Sequence, residues 1–335
     1  MMAEELLEEQ SVTLDHFYVF LKNYCYAVVV GNMHSNSYLI GYVKYCLGKN
    51  SIWRNNLGYY DRIVNYYSPR KVYDATPWKT YIPCYDSYIP VIPRSSIMKI
   101  FNPINRLNEI ISSPRDKLEE LTANLSSILY LSINRNALGV TGSLLIRIHN
   151  PVFSDIDMIV YGWKESLNII EFINENKDLF PGFTGERLKK WIYSNAESSG
   201  LPLSKVEKLY RRWRRGSFMG RDYSIIYNNG VYKHLDTCKA WRTMGHIKVK
   251  ACLAGGLDAL NYPSKSNIDK YYVLKNTKKL RGDIEYVLSF DALYIGKLFD
   301  GGWVIISGLL QHDQLEDKYR ILVGGREYKG YIEPL

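Results

Sequence analysis

Gly142-Ser143 and Asp155-Ile156-Asp157 are the residues of this sequence whose types and spacing could do chemistry, and eleven residues separate the two groups. On a strand, residues i and i+2 share a face. Asp155 and Asp157 therefore point the same way, within an apolar frame that runs on through Met158, Ile159, Val160 and Tyr161. Two carboxylates on one face repel each other unless a cation lies between them, and hard oxygen ligands suit Mg²⁺ or Mn²⁺. Gly142 lets the backbone approach a ligand closely. Leu144 to Ile148 are predicted to open a short helix, so that Ser143 and the backbone amides after it would form an anion site. One half would hold phosphate and the other the metals that neutralise it. Nucleotidyl transfer asks for that pairing, with two metals roughly 3.5–4 Å apart clamping the attacking and leaving oxygens. Either half alone is commonplace, since Asp-X-Asp is usually a turn or a solvated strand end. The combination in an apolar setting carries the argument.

The pattern apolar-Gly-Ser, about a dozen residues, then Asp-apolar-Asp-apolar on a strand resembles the signature of the DNA polymerase β nucleotidyltransferase superfamily. The longer string from Leu138 to Gly162 is similar to a group of archaeal predicted nucleotidyltransferases. Gly31-Asn32-Met33-His34, Tyr42-Val43-Lys44-Tyr45 and the closing Val323-Gly324-Gly325-Arg326-Glu327 also look like that group, although Ser35-Asn36 stands where prolines would be expected. The resemblance implies a metal-dependent nucleotidyltransferase. Asp155 and Asp157 would hold Mg²⁺ or Mn²⁺ in a two-metal site, Gly142 and Ser143 would bind the NTP, and a later strand would add a third catalytic carboxylate. Asp222, in Arg221-Asp222-Tyr223-Ser224-Ile225, is the candidate for that third acid, ahead of Asp236, which lacks a strand frame. Arg147 lies between the halves of the motif and could contact nucleotide or form a surface salt bridge. His149-Asn150-Pro151 would shape the loop.

Several elements must position these residues. Ser113-Pro114-Arg115-Asp116 has the form of a helix start, with Leu118, Leu121, Leu125, Ile128 and Leu129 as an apolar stripe to about residue 131. Helices are predicted over 164–176, 186–196 and 204–214. From Gly220 the period changes to two, giving strands over 221–227, 247–253, 271–274, 284–290, 303–309 and 319–323. Five of these follow Met244, the number an OB-type barrel needs. Nearer the N-terminus, strand-like runs at 27–30 and 38–45 flank a polar turn in which His34 reads as structural, and residues 46–103 read as irregular strands and loops. The fold class expected is α+β in three parts. These are a tyrosine-rich N-terminal domain (1–110), a catalytic domain around a mixed nucleotidyltransferase-type sheet (111–235), and a small β-barrel of OB-like or related type (236–335).

Composition narrows the function class. The five cysteines (Cys25, Cys46, Cys84, Cys238, Cys252) are scattered without a Cys-x-x-Cys, so neither a zinc site nor a disulfide framework is expected. Residues 1–12 are acidic rather than basic and apolar, unlike a signal peptide, and no apolar run is long enough to span a bilayer. A soluble, cytoplasmic protein with no membrane partner is expected.

The 335 residues carry a net charge of +9. From Glu186 to Arg221 there are ten Lys and Arg against three Glu, a net of +7, so the rest of the chain is nearly neutral. A solvated helix face normally mixes signs, and this segment is lopsided. Lys189, Lys190, Arg211, Arg212, Arg214 and Arg215, with Trp213 among them, are the candidate nucleic-acid-binding residues, because aromatic rings among cations suit base stacking. The reaction inferred moves an NMP from an NTP to an acceptor hydroxyl, with RNA as the expected partner. The alternative is a catalytically silent RNA-binding protein that retains the fold.

Overall fold

The computed structural model describes residues 12–49, 51–64, 69–277, 280–313 and 315–335. The acidic segment before Val12 lies outside them. The described residues form a mixed α+β structure with three main sheets and one two-stranded ribbon.

The central sheet has four strands. Leu138–Val140 runs antiparallel to Ile156–Tyr161, which runs parallel to Arg221–Asn228, and Arg215–Phe218 closes the edge antiparallel. Alternation explains how the middle strand is buried. Ile156, Met158 and Val160 join one core with Leu118, Leu125 and Leu129 of the helix Lys117–Leu129 and with Ile169, Ile170 and Ile173 of Trp163–Glu175. Ile159 and Tyr161 face the other way, into a core shared with Phe17, Val19 and Ile92 of the N-terminal part. A strand covered on both faces needs apolar residues on both, as here. Asp157 sits where the second cover ends.

Helix starts follow local capping chemistry, with one difference from the sequence reading. Asp116, not Ser113, caps Lys117–Leu129, its side chain accepting from Leu118 N and Glu119 N. Ser113 instead ends a helix that the sequence did not suggest, Pro103–Ser112, which Asn102 caps. The helices expected over 164–176 and 186–196 are present as Trp163–Glu175 and Gly185–Ser199. The one expected over 204–214 stops at Glu207 (Leu203–Glu207), and the arginine run beyond it is turn, passing into strand at Arg215.

Residues 46–103 are more regular than their composition suggests. Their described residues contribute five strands, which belong to an eight-stranded N-terminal sheet, and the helix Pro69–Ala75. Its long strand Tyr38–Gly48 pairs with Tyr26–Val29, Gly58–Arg62 and Ser87–Pro93. Many tyrosines of this region are core: Tyr18 and Tyr60 are fully buried, and Tyr26 and Tyr45 nearly so.

Two disulfides, Cys25–Cys46 and Cys84–Cys238, correct the expectation that the cysteines would stay unpaired. Cys25 and Cys46 are adjacent through the pairing of Tyr26–Val29 with Tyr38–Gly48, whereas Cys84 and Cys238 both lie outside strands, 154 positions apart. Cys252 is the free thiol among the described residues.

The C-terminal part is a closed five-stranded barrel. Arg242–Leu253 pairs with both Ser264–Asn276 and Gly302–Asp313, Ser264–Asn276 pairs with Ile284–Ser289, and Lys318–Val323 lies between Ile284–Ser289 and Gly302–Asp313. Numbered along the chain, the order is first, second, third, fifth, fourth and back to first. The short helix Ile295–Asp300 connects the third and fourth strands. Ile247, Val249, Ala251, Val304, Ile306 and Ile321 fill the interior. Period-two alternation marked all five strands.

Candidate active site

The turn between Val140 and the helix Gly142–Leu145 is held against the strand it faces. Thr141 N donates to Asp157 O (2.8 Å), and Thr141 Oγ1 donates to His16 O (2.9 Å). Gly142 has φ +63°, and a Cβ there would lie 2.4 Å from Asp157 Oδ2. Only glycine lets this backbone rest on that carboxylate. Ser143 is buried and lines the same cleft as Asp155 and Asp157. The helix is a single turn ending at Leu145, shorter than the sequence suggested.

The loop before Asp155 is fastened from the neighbouring strand. Arg221, the first residue of Arg221–Asn228, donates to Pro151 O (3.0 Å), Val152 O (2.6 Å) and Ser154 O (3.2 Å). Asn150 closes the same loop through Ser154 Oγ (3.0 Å) and through its own Oδ1, which accepts from Val152 N.

Asp155 and Asp157 lie in a cleft of about 370 Å³, within the range of small-molecule sites. Tyr18, Lys44, Arg62, Arg214 and Arg215 are among its other walls. Asp157 beside it, reinforced by burial, pushes the Asp155 carboxyl well above the usual carboxylate range, against the opposing pull of Arg215 and Lys44. Asp155 is nevertheless open to solvent from the cleft. A carboxylate pair that resists double ionisation is a site that a divalent cation would stabilise. Lys44 Nζ donates to Tyr18 OH (2.7 Å). Burial lowers the Arg214 guanidinium to about 10, with Arg215 adding to the effect, and the group stays charged at neutral pH. The cleft thus has an acidic spot rimmed by cations.

The other candidate residues distribute unevenly. The register sets Asp157 beside Ser224, and Ser224 Oγ donates to Asp157 Oδ1. The position for a third acid next to Asp157 therefore carries a hydroxyl. Asp222 is on the same strand but is 42% exposed, pairs with Arg187 (3.0 Å) and does not line the cleft. Asp236 is 82% exposed beside His234. Arg147 has φ +58°, follows the helix rather than belonging to it, and pairs with Glu109 away from the cleft.

The basic run separates. Trp213 is a core residue packed on Tyr227 and Phe299, which corrects the reading of it as a base-stacking platform. Arg211 pairs with Asp300, and Arg212 Nη2 donates to Asn174 O (3.1 Å). Arg214 and Arg215 turn into the cleft. Lys189 and Lys190 are exposed on the helix Gly185–Ser199, Lys189 paired with Glu186.

Another acidic group lies outside the cleft. Ligand atoms of Asp116, Glu119 and His149 are within 4.8 Å of one another and could hold a metal ion. Each already has a protein partner. Asp116 Oδ2 meets His149 Nε2 at 2.8 Å, and Glu119 is buried against Arg106 and accepts from Arg115 N (2.9 Å). This group ties the loop after Arg147 to the helix Lys117–Leu129, as the loop-shaping reading of His149 anticipates.

Comparisons with known proteins add little to this geometry. The chain is 27% identical over 232 residues to an uncharacterized protein of Methanocaldococcus jannaschii, a match spanning 64% of this chain and 63% of that protein. No family profile matches the chain, and no solved structure matches it. No described helix is long and apolar enough to cross a membrane.

Tyr18, Lys44, Arg62 and Ser224 are among the cleft residues that sequence reasoning left out. Lys44 lies inside the Tyr42–Tyr45 string, so a signal for it existed. Ser224 had none, because only strand register sets it beside Asp157. Gly31-Asn32-Met33-His34 proves to be a junction. Gly31 N donates to Asp15 Oδ1 (2.8 Å), and Asn32 Nδ2 donates to Asn228 and Asn229. His34 is fully buried with Nδ1 accepting from Ile40 N (3.0 Å), and burial lowers it to about 4. It is neutral and structural, as the sequence reading favoured.

Proposed function

We propose that the chain is a metal-dependent nucleotidyltransferase of the DNA polymerase β superfamily that transfers an NMP from an NTP to an acceptor hydroxyl, with RNA as the acceptor class. The observation that carries this reading is the cleft itself. Asp155 and Asp157 lie together on a strand end against Gly142, ringed by Lys44, Arg62, Arg214 and Arg215. Mixed-sheet topology around the Asp-Ile-Asp strand supports the superfamily assignment, and the strand order of the C-terminal barrel supports an OB-type reading of that part.

The donor set fits Mg²⁺ or Mn²⁺: two carboxylates, one with raised basicity, and a neighbouring hydroxyl, all hard oxygens. When bound, such ions neutralise phosphate charge and lower the pKa of an attacking hydroxyl. Asp155 and Asp157 would hold them. Arg214, Arg215 and Lys44 would hold the phosphates in place and offset charge on the departing pyrophosphate, as cations aimed at phosphoryl oxygens do. Ser224 would keep Asp157 in one rotamer through its hydrogen bond. Tyr18, tied to Lys44, would set the position of that ammonium group.

The test is incorporation of each labelled NTP into total RNA with Mg²⁺ or Mn²⁺, with Asp155→Asn and Asp157→Asn alongside. Metal-dependent incorporation lost in both variants is expected. Full activity in a folded double variant would overturn the mechanism. A second reading, a catalytically silent RNA-binding protein, is favoured by one observation: Ser224, not an acid, stands beside Asp157. No incorporation with any NTP, together with retained RNA binding, would select it. A cytoplasmic location belongs to the same proposal. The two disulfides fit it only where intracellular proteins are disulfide-rich, as in hyperthermophiles, and fractionation of the source cells would check it.

A further inference from the structure

The barrel carries a row of paired cations and rings on its outer surface. On the strand Arg242–Leu253, Ile247, Val249 and Ala251 point inward, so His246, Lys248 and Lys250 point out, about 6.8 Å apart in succession. Each meets an aromatic ring. Tyr328 stacks on His246 (centroids 4.3 Å, planes at 28°), Lys248 Nζ lies 5.8 Å from the Tyr331 centroid, and Lys250 Nζ lies 5.2 Å from that of Trp303. The neighbouring strand extends the row. Tyr272 lies opposite Lys250 and stacks on Trp303 at 6.0 Å and 16°, with Lys270 Nζ 5.4 Å from the Tyr272 ring.

These rings are not core. Tyr272 is 49% and Trp303 37% exposed, with Val273 and Leu274 exposed beside them. Large aromatic side chains held parallel at a surface, with cations against them, expose apolar area that a partner would cover. We propose that this outer face binds single-stranded nucleic acid, its bases stacking on Trp303 and Tyr272 and its phosphates meeting Lys248, Lys250 and Lys270.

Charge favours an anionic occupant over a bare apolar partner, and the exposed parallel rings of Tyr272 and Trp303 favour stacked bases over an acidic peptide. Lys275 extends the cationic row, Glu333 at its border is engaged by Lys205 (3.3 Å), and Asp269 sits at the bulge opposite Cys252 and Leu253. Lys248 and Lys250 follow one another on one strand, with Lys270 and Lys275 on its neighbour, so the positive charge is extended as a phosphate backbone is. OB-type barrels bind oligonucleotides across strands two and three. Here Lys265 and Tyr286 of those strands line a cavity of about 400 Å³ walled in part by Met33, Cys84 and Tyr85 of the N-terminal half. The first-strand face is open instead. The inference rests on the reading that the acceptor is RNA, but the surface is distinct from the cleft.

Fluorescence anisotropy of a labelled 12-nucleotide single-stranded RNA, without NTP or divalent metal, tests it across a salt series. Trp303→Ala and Tyr272→Ala are each expected to weaken binding roughly 5- to 150-fold with the salt slope unchanged, because stacking releases few ions. Trp303→Phe should retain most of the affinity. Lys250→Ala with Lys270→Ala should make the slope of log K against log salt shallower by about 1.4, at about 0.7 per phosphate. Bound RNA should also slow alkylation of Cys252, which lies opposite both Lys270 and Trp303. Wild-type affinity in a folded Trp303→Ala, Tyr272→Ala double variant would overturn the proposal. So would equal dependence of anionic-vesicle binding on the same residues. Absent RNA binding with NTP incorporation intact would sink this surface alone, and the converse would sink the cleft reading alone.

Discussion

Gly142→Ala is the most discriminating substitution for the geometry of the cleft. Two separate penalties meet at that position. The first is backbone: φ is +63°, and an alanine held in the left-handed region costs about 1–2 kcal/mol. The second is contact: the new Cβ would lie 2.4 Å from Asp157 Oδ2, so the carboxylate must turn away. Leaving its rotamer costs about 0.5–1.5 kcal/mol. Breaking the hydrogen bond from Ser224 to a charged group costs about 1.5–3 kcal/mol. Because Asp157 is partly exposed, water recovers some of that, and a total near 3–4 kcal/mol is expected from urea denaturation. In an Asp157→Ala background the contact disappears, and Gly142→Ala should cost only the backbone strain, about 1–2 kcal/mol. The two sites should therefore couple by more than 1 kcal/mol in a double-mutant cycle. Mn²⁺ titration by electron paramagnetic resonance should show weaker binding in Gly142→Ala. Additive stabilities with unchanged Mn²⁺ affinity would refute the claim that this glycine exists to seat Asp157.

The carboxylate pair makes a prediction in pH. Asp155 is raised from 3.8 to about 6 in the fold, so the folded state holds its proton more tightly than the unfolded chain. Metal-free stability should thus fall as pH rises through that interval, and the loss should flatten in Asp157→Asn or with saturating Mn²⁺, as read from urea midpoints between pH 4 and 7. Arg215→Ala should raise the KM for NTP more than it lowers kcat if the side chain binds ground-state phosphates; an unchanged KM in steady-state assays would remove it from that role. Trp213→Ala should destabilise by about 3–5 kcal/mol through an unfilled core, while the salt slope for RNA stays at the wild-type value. Reduction of both bridges should lower stability by about 4–8 kcal/mol, at about 2–4 kcal/mol each, and Cys84→Ser should reproduce more than half of that if the Cys84–Cys238 bridge, which closes the longer loop, dominates.

Alternation was the strongest signal in the sequence, and it made the barrel legible. All five strands were marked; the first, Arg242–Leu253, alternates buried and open residues, while Lys318–Val323 is buried on both sides and was legible from its β-branched and apolar run. Stripes at helical spacing likewise located Lys117–Leu129, Trp163–Glu175 and Gly185–Ser199. The Gly-Ser and Asp-Ile-Asp groups were recognisable because both lie within 25 residues of chain, where spacing translates directly into proximity. Periodicity says which face of an element is buried, but not which element covers it. The arginine run shows the consequence. Arg211 to Arg215 read as one cationic helix, yet the chain turns there, so Trp213 enters the core, Arg211 goes to Asp300, and Arg214 and Arg215 enter the cleft. Register between Ile156–Tyr161 and Arg221–Asn228 put Ser224 beside Asp157 and left Asp222 to Arg187, a choice that no local pattern encodes. The disulfides and the lysine–aromatic row on the barrel are of the same kind. Most of their contacts join residues tens to more than a hundred positions apart, which only the tertiary fold makes neighbours.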